Sequence, residues 1–160
     1  MEEELGYRWA GRKVLQMAAV DRFGMAEALV SRKADVIFGD IMFALGLNIP
    51  IRSLKTLSRA FRIVAPIIMS MPISWIYPTG EAQEKTSDKY YSLFHDIEAI
   101  TGDYLFIKKY MPPDMTGKVI ITNTVTADDV EELRKRKAKM LITATPEMEG
   151  RSFGTNVMEA

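Results

Sequence analysis

AVDRFG, from Ala19 to Gly24, is the first stretch of this sequence with the spacing of a ligand loop. It follows an apolar run and precedes a helical pattern, where a GxGxxG turn would let bare backbone approach a pyrophosphate. Aligned to end on Gly24, the three glycine positions hold Ala19, Asp21 and Gly24. Ala19 is a small departure, and Gly24 is the glycine expected to let helix and strand pack closely. Asp21 is the larger departure, because a carboxylate beside phosphates repels them unless it turns away or pairs with Arg22. Asp40 ends a second apolar run, 22 residues after Ala18. An acid there can accept hydrogen bonds from adenosine ribose hydroxyls, which favours NAD over NADP. An aspartate that ends a strand or caps the next segment fits the same position.

Two later turns carry Gly102–Asp103–Tyr104 and Asn123–Thr124–Val125–Thr126. Such residues can bind a cofactor or a small substrate, or cap the helices that follow. A fifth stretch, Thr143 to Asn156, places Thr145 near its start and Arg151, Ser152 and Asn156 around two glycines before a helix start. A glycine-flexed loop with an arginine at a helix N-terminus suits an anion, and a surface connection is the alternative. His95 is the single histidine and cysteine is absent. A Ser-His-Asp triad and a histidine- or cysteine-rich metal site therefore have no basis. His95 reads as the exposed end of a helix.

The elements that must position these residues alternate. Strands are expected at Lys13–Ala18, Asp35–Asp40, Glu98–Thr101, Lys118–Thr122 and Lys139–Thr143. Helices are expected from Gly24 to about Arg32, from a Ser53 cap to about Met71, and from Ser87 to Asp96. Another lies between the last two strands, where Thr126 and Asp129 have capping-box spacing and Arg134 to Lys137 suit the negative helix pole. Such alternation predicts a doubly wound, mainly parallel α/β sheet, Rossmann-like, with helices on both faces.

The chain's 160 residues suit one domain. Lysine plus arginine equals aspartate plus glutamate at 21 each, without the basic excess of a nucleic-acid protein. The start, MEEEL, lacks signal-peptide features, so a cytoplasmic protein is expected. Ile63 to Tyr77 is too short for a membrane span and is interrupted by Pro66 and Pro72. It reads as a buried helix with a broken tail, or as a patch for a second copy or another domain.

Taken together, AVDRFGMAEALV, NIPIRSLKTL, SWIYPTGE, GDYLFIKKYMP, ITNTVTADDV and EGRSFGTNVMEA resemble a bacterial and archaeal family labelled quinate 5-dehydrogenase, or shikimate/quinate dehydrogenase-like. The resemblance runs from about Gly11 to the last residue. It implies the C-terminal Rossmann-like domain of a longer protein, and NAD- or NADP-linked oxidation of a cyclic hydroxy acid such as quinate. TATPEMEG also loosely resembles an Asn-x-Thr-Pro loop near the nicotinamide, with Thr143 where that loop has asparagine. The expected cofactor contacts are Ala19, Asp21, Arg22, Gly24, Asp40, Asn123 and Thr145, and the expected substrate contacts are Arg151, Ser152 and Asn156. The competing reading is a non-catalytic Rossmann-like module for another small ligand or a protein partner.

Overall fold

The computed structural model describes residues 6–20, 22–70, 87–144, 147–148 and 151–152. The chain divides into two compact units, Met1–Lys85 and Thr86–Ala160.

In the first unit, β1 (Lys13–Gln16) leads through α1 (Phe23–Ser31) to β2 (Asp35–Phe38). The strands pair in parallel from Lys13↔Asp35 to Gln16↔Phe38. Beyond its first residue each strand is buried on both faces, as a covered parallel sheet requires. Helix α1 turns Ala26 and Leu29 inward. Strand β2 stops at Phe38, and Asp40 opens a short helix, α2 (Asp40–Leu45), instead of ending the strand as expected. A Cβ at Gly39 would run into the Phe43 ring, so a larger residue there would force that ring to shift. Gly46 closes α2 in the left-handed conformation. Helix α3 (Leu54–Met69) starts where expected: the Ser53 hydroxyl accepts from the Thr56 amide at 3.1 Å. Lys55, Arg59 and Arg62 form an exposed face on it.

In the second unit, α4 (Tyr91–His95) is much shorter than the expected Ser87–Asp96, and His95 is exposed as expected. The elements β3 (Ala99–Thr101), α5 (Tyr104–Tyr110), β4 (Val119–Thr122), α6 (Ala127–Lys135) and β5 (Met140–Thr143) follow. Helix α5 has no expected counterpart, because YLFIKKY is rich in strand-forming types. Asp103 caps it, accepting from the Leu105 amide at 2.9 Å, and Tyr104, Ile107 and Tyr110 form its buried face. The Thr126–Asp129 capping box forms in full.

Within each unit the strands pair in parallel, β1 with β2 in the first and β3 with β4 and β4 with β5 in the second. The expected doubly wound α/β architecture is therefore the observed one. Dinucleotide-binding sheets of order 3-2-1-4-5-6 share its β2-β1 neighbours. Beyond β2 no further strand joins the sheet among the described residues. The last described segment is a small antiparallel pair, β6 (Glu147–Met148) with β7 (Arg151–Ser152). This corrects the expected flexed loop: Arg151 and Ser152 lie in an extended strand. The helix expected after Gly154 lies outside the described residues.

Candidate functional site

The register Gln16↔Phe38 sets the end of β1 beside the end of β2, and the Gly39 amide donates to the Gln16 carbonyl at 2.8 Å. Asp40, one residue on, thereby meets the turn after β1. Its Oδ1 accepts from the Ala19 amide at 2.8 Å and from the Val20 amide at 3.0 Å. Two of the sequence's candidates, 21 residues apart, are thus in direct contact. A carboxylate on paired backbone amides satisfies them as a ligand oxyanion would, so Asp40 shapes this turn itself.

Arg22 precedes α1 as its N-cap, with no side-chain cap and no acid in the first helical turn. The amides of Met25 and Ala26 both donate to the Arg22 carbonyl, at 3.0 and 3.2 Å. The first two helical amides, Phe23 and Gly24, have no acceptor among the described residues. Beneath this end lies Gln16, fully buried, whose Nε2 donates to the same Arg22 carbonyl at 3.2 Å. Gln16 Oε1 and Arg22 Nη1 are buried atoms with no partner. Gln16 was not among the residues expected here, although a polar residue inside the apolar run KVLQMA is the signal for it.

Gly24 does not serve the packing role expected of it. It is exposed, and a Cβ there would meet nothing within 4 Å.

In the second unit the ends of β3 and β4 carry two buried hydroxyls without partners, Thr101 Oγ1 and Thr122 Oγ1. Thr101 pairs with Ile121, so Thr101 and Thr122 are out of phase by one residue and face opposite sides of the sheet. They do not converge. Asn123 follows Thr122 and is half-buried. The turns beyond these strands largely serve capping, as Asp103 and Thr126 show. Behind them Lys108 bridges to Asp129 at 3.0 Å and Glu132 at 3.3 Å. Burial pushes the Asp129 pKa upward, but bonds from Thr126 and Lys108 outweigh it and bring it below the ordinary value. Burial, with the charges of Asp129 and Glu132, drives the Tyr104 phenol far above its ordinary pKa.

Asp21, Thr145 and Asn156 lie outside the described residues, as do the side chains of Arg151 and Ser152. No group of three or more metal-ligating side chains occurs among the described residues. No helix among them is long and apolar enough to cross a membrane.

The chain matches one family over residues 1–160, described as a domain of unknown function, DUF8754. The chain is a member of the DUF8754 family. No curated protein and no solved structure matches this DUF8754 chain.

Proposed function

We propose that the chain is the NAD(P)-binding domain of an oxidoreductase acting on a cyclic hydroxy acid of the quinate or shikimate type. The observation that supports this best is the approach of Asp40 to the Ala19 amide at 2.8 Å. In a dinucleotide site the acid after the second strand must lie beside the turn after the first, because the ribose adjoins the diphosphate. The uncapped start of α1 suits a phosphate, whereas Ala19 and Asp21 fit the glycine positions less well. On this reading Asp40 faces the ribose and favours NAD, and Arg22 and Gly24 adjoin the diphosphate. Asn123 and Thr145 are further cofactor contacts, and Arg151, Ser152 and Asn156 hold the substrate. NAD or NADP supplies the hydride chemistry, and the protein supplies position and charge.

Calorimetric titration with NAD and NADP separately tests this. Micromolar binding of NAD, weaker binding of NADP, and a loss of about 1–3 kcal/mol in Asp40→Ala are expected. Unchanged NAD affinity in Asp40→Ala removes Asp40 from the site.

A second reading, a non-catalytic module for another small ligand, is favoured by one specific feature. The Ala19 and Val20 amides are already bound by a carboxylate. Silence with both dinucleotides supports it.

A further inference from the structure

We propose that α3 docks on an anionic lipid surface, through the cations Lys55, Arg59 and Arg62 and the exposed apolar side chains Phe61 and Ile63. Such docking does not depend on a dinucleotide site.

Spacing makes α3 amphipathic. Leu54, Leu57 and Phe61 recur at i, i+3 and i+7, and Lys55, Arg59 and Arg62 recur at i, i+4 and i+7 on another face. In a folded domain a helix of this kind is held mainly by burial of its apolar stripe. Here the stripe is covered only at its start. Leu57 is 1% exposed, whereas Phe61, one turn on, is 43% exposed, and Ile63 is 70% exposed. Leu57 is the only buried side chain among those described on α3. Leu47 and Ile49, just ahead of the helix, are exposed as well. Four of the six large apolar side chains exposed among the described residues therefore fall between 47 and 63. Single apolar residues at a surface need no explanation, but a concentration of them marks an interaction surface.

The charges identify the chemistry of the partner. Lys55, Arg59 and Arg62 span about 10 Å of one helix face, at a rise of about 1.5 Å per residue. None of the three has an ion pair or a side-chain hydrogen bond among the described residues. Other exposed cations do find carboxylates: Arg52 meets Asp35 at 3.4 Å, and Arg134 meets Glu131 at 2.9 Å. No aspartate or glutamate occurs between residues 41 and 80, so a negative surface laid against α3 meets no like charge from this segment. Ile63 is four residues from Arg59 and hence its neighbour on the helix surface. Cations interleaved with apolar side chains suit a lipid headgroup layer, where the cations meet phosphates and the apolar groups reach the acyl boundary. A nucleic acid would use the cations and leave Ile63 in water. A second copy meeting α3 face to face would set these cations against their own equivalents.

Vesicle binding of the full chain tests this. The sequence has no cysteine, so Ile63→Cys and, as a control on exposed α5, Leu105→Cys can each carry one environment-sensitive fluorophore. Vesicles of phosphatidylcholine with about one-third phosphatidylglycerol should bind the labelled chain at low salt, blue-shift the Ile63→Cys emission and leave that of Leu105→Cys unchanged. Pure phosphatidylcholine vesicles, or the mixed vesicles in about 0.5 M salt, should bind many-fold less. Each cation at an anionic surface contributes a factor of about five in affinity. Arg59→Gln combined with Arg62→Gln should therefore weaken binding about 25-fold, with a melting temperature close to wild type. No binding to the mixed vesicles overturns the proposal, as does binding that shifts both labels alike or survives the double substitution undiminished. An Ile63→Cys shift on raising protein concentration without vesicles overturns it in favour of a second copy. A shift produced by a duplex oligonucleotide and not by vesicles overturns it in favour of nucleic acid.

Discussion

Lys118 illustrates how one side chain can hold an element end. It is buried just before β4, and its Nζ donates to the Phe94 carbonyl at 2.5 Å and the Ile97 carbonyl at 2.8 Å. These carbonyls lie at the end of α4, where a helix leaves acceptors unpaired. Lys118→Met should therefore lose about 1–3 kcal/mol in urea unfolding, because the Ile97 carbonyl loses its donor while the Phe94 carbonyl keeps a backbone donor, the Ile97 amide at 3.3 Å. Burial lowers the Lys118 pKa, against the opposing pull of Asp114 and Asp96. The native state thus releases this proton at lower pH than the unfolded chain does. Stability should rise with pH just below the ordinary lysine value, and Lys118→Met should abolish that slope. Neither bond was legible in the sequence, where Lys118 reads only as the polar start of a strand.

Helix α6 is the clearest case at the level of elements. Thr126 Oγ1 accepts from the Asp129 amide at 3.3 Å, and Asp129 Oδ2 accepts from the Thr126 amide at 3.0 Å. Thr126→Ala should cost about 0.5–2 kcal/mol, read by thermal unfolding. Asp129 has a lowered pKa in the folded state, so its contribution is present above the ordinary carboxylate range and fades as pH falls through that range. The stability gap between wild type and Asp129→Asn should be widest near neutral pH and nearly closed at about pH 2. Helix α3 contains Pro66 in its interior, which removes one amide from the ladder. Pro66→Ala should stabilise α3 by up to about 3 kcal/mol, checked by the melting temperature and helical circular dichroism. The capping box and Ser53 were readable from spacing alone. Helices α2 and α5 were not, because a glycine-bounded six-residue helix and an aromatic-rich one carry little local helical preference.

Across the whole molecule the charges cancel at 21 of each sign, and the sequence pI is about 6.6. The balance hides a segregation. Residues 41–80 contain Arg52, Lys55, Arg59 and Arg62 and no aspartate or glutamate. Attraction between oppositely charged regions of separate molecules is then strongest where net charge vanishes. Turbidity at low ionic strength should peak near pH 6.6 and fall on adding about 0.15 M salt, which shortens the screening length to about 8 Å. Turbidity that does not depend on salt would assign the association to apolar surface instead.

By itself the sequence determined the parallel α/β architecture. Alternating apolar strands and amphipathic helices leave few other ways to bury both strand faces, and the expected strands match β1 to β5 apart from one or two residues at their ends. It also determined the local caps, which depend on residues three apart. Only the tertiary structure decided which strands pair within each unit, which depends on the direction of each crossover and not on any residue within it. The same holds for Asp40, which spacing placed at a strand end and parallel register brought onto the Ala19 and Val20 amides. The Gln16 side chain reaches the Arg22 carbonyl for the same reason: groups six residues apart meet this way only when a strand, a turn and a helix fold back on one another.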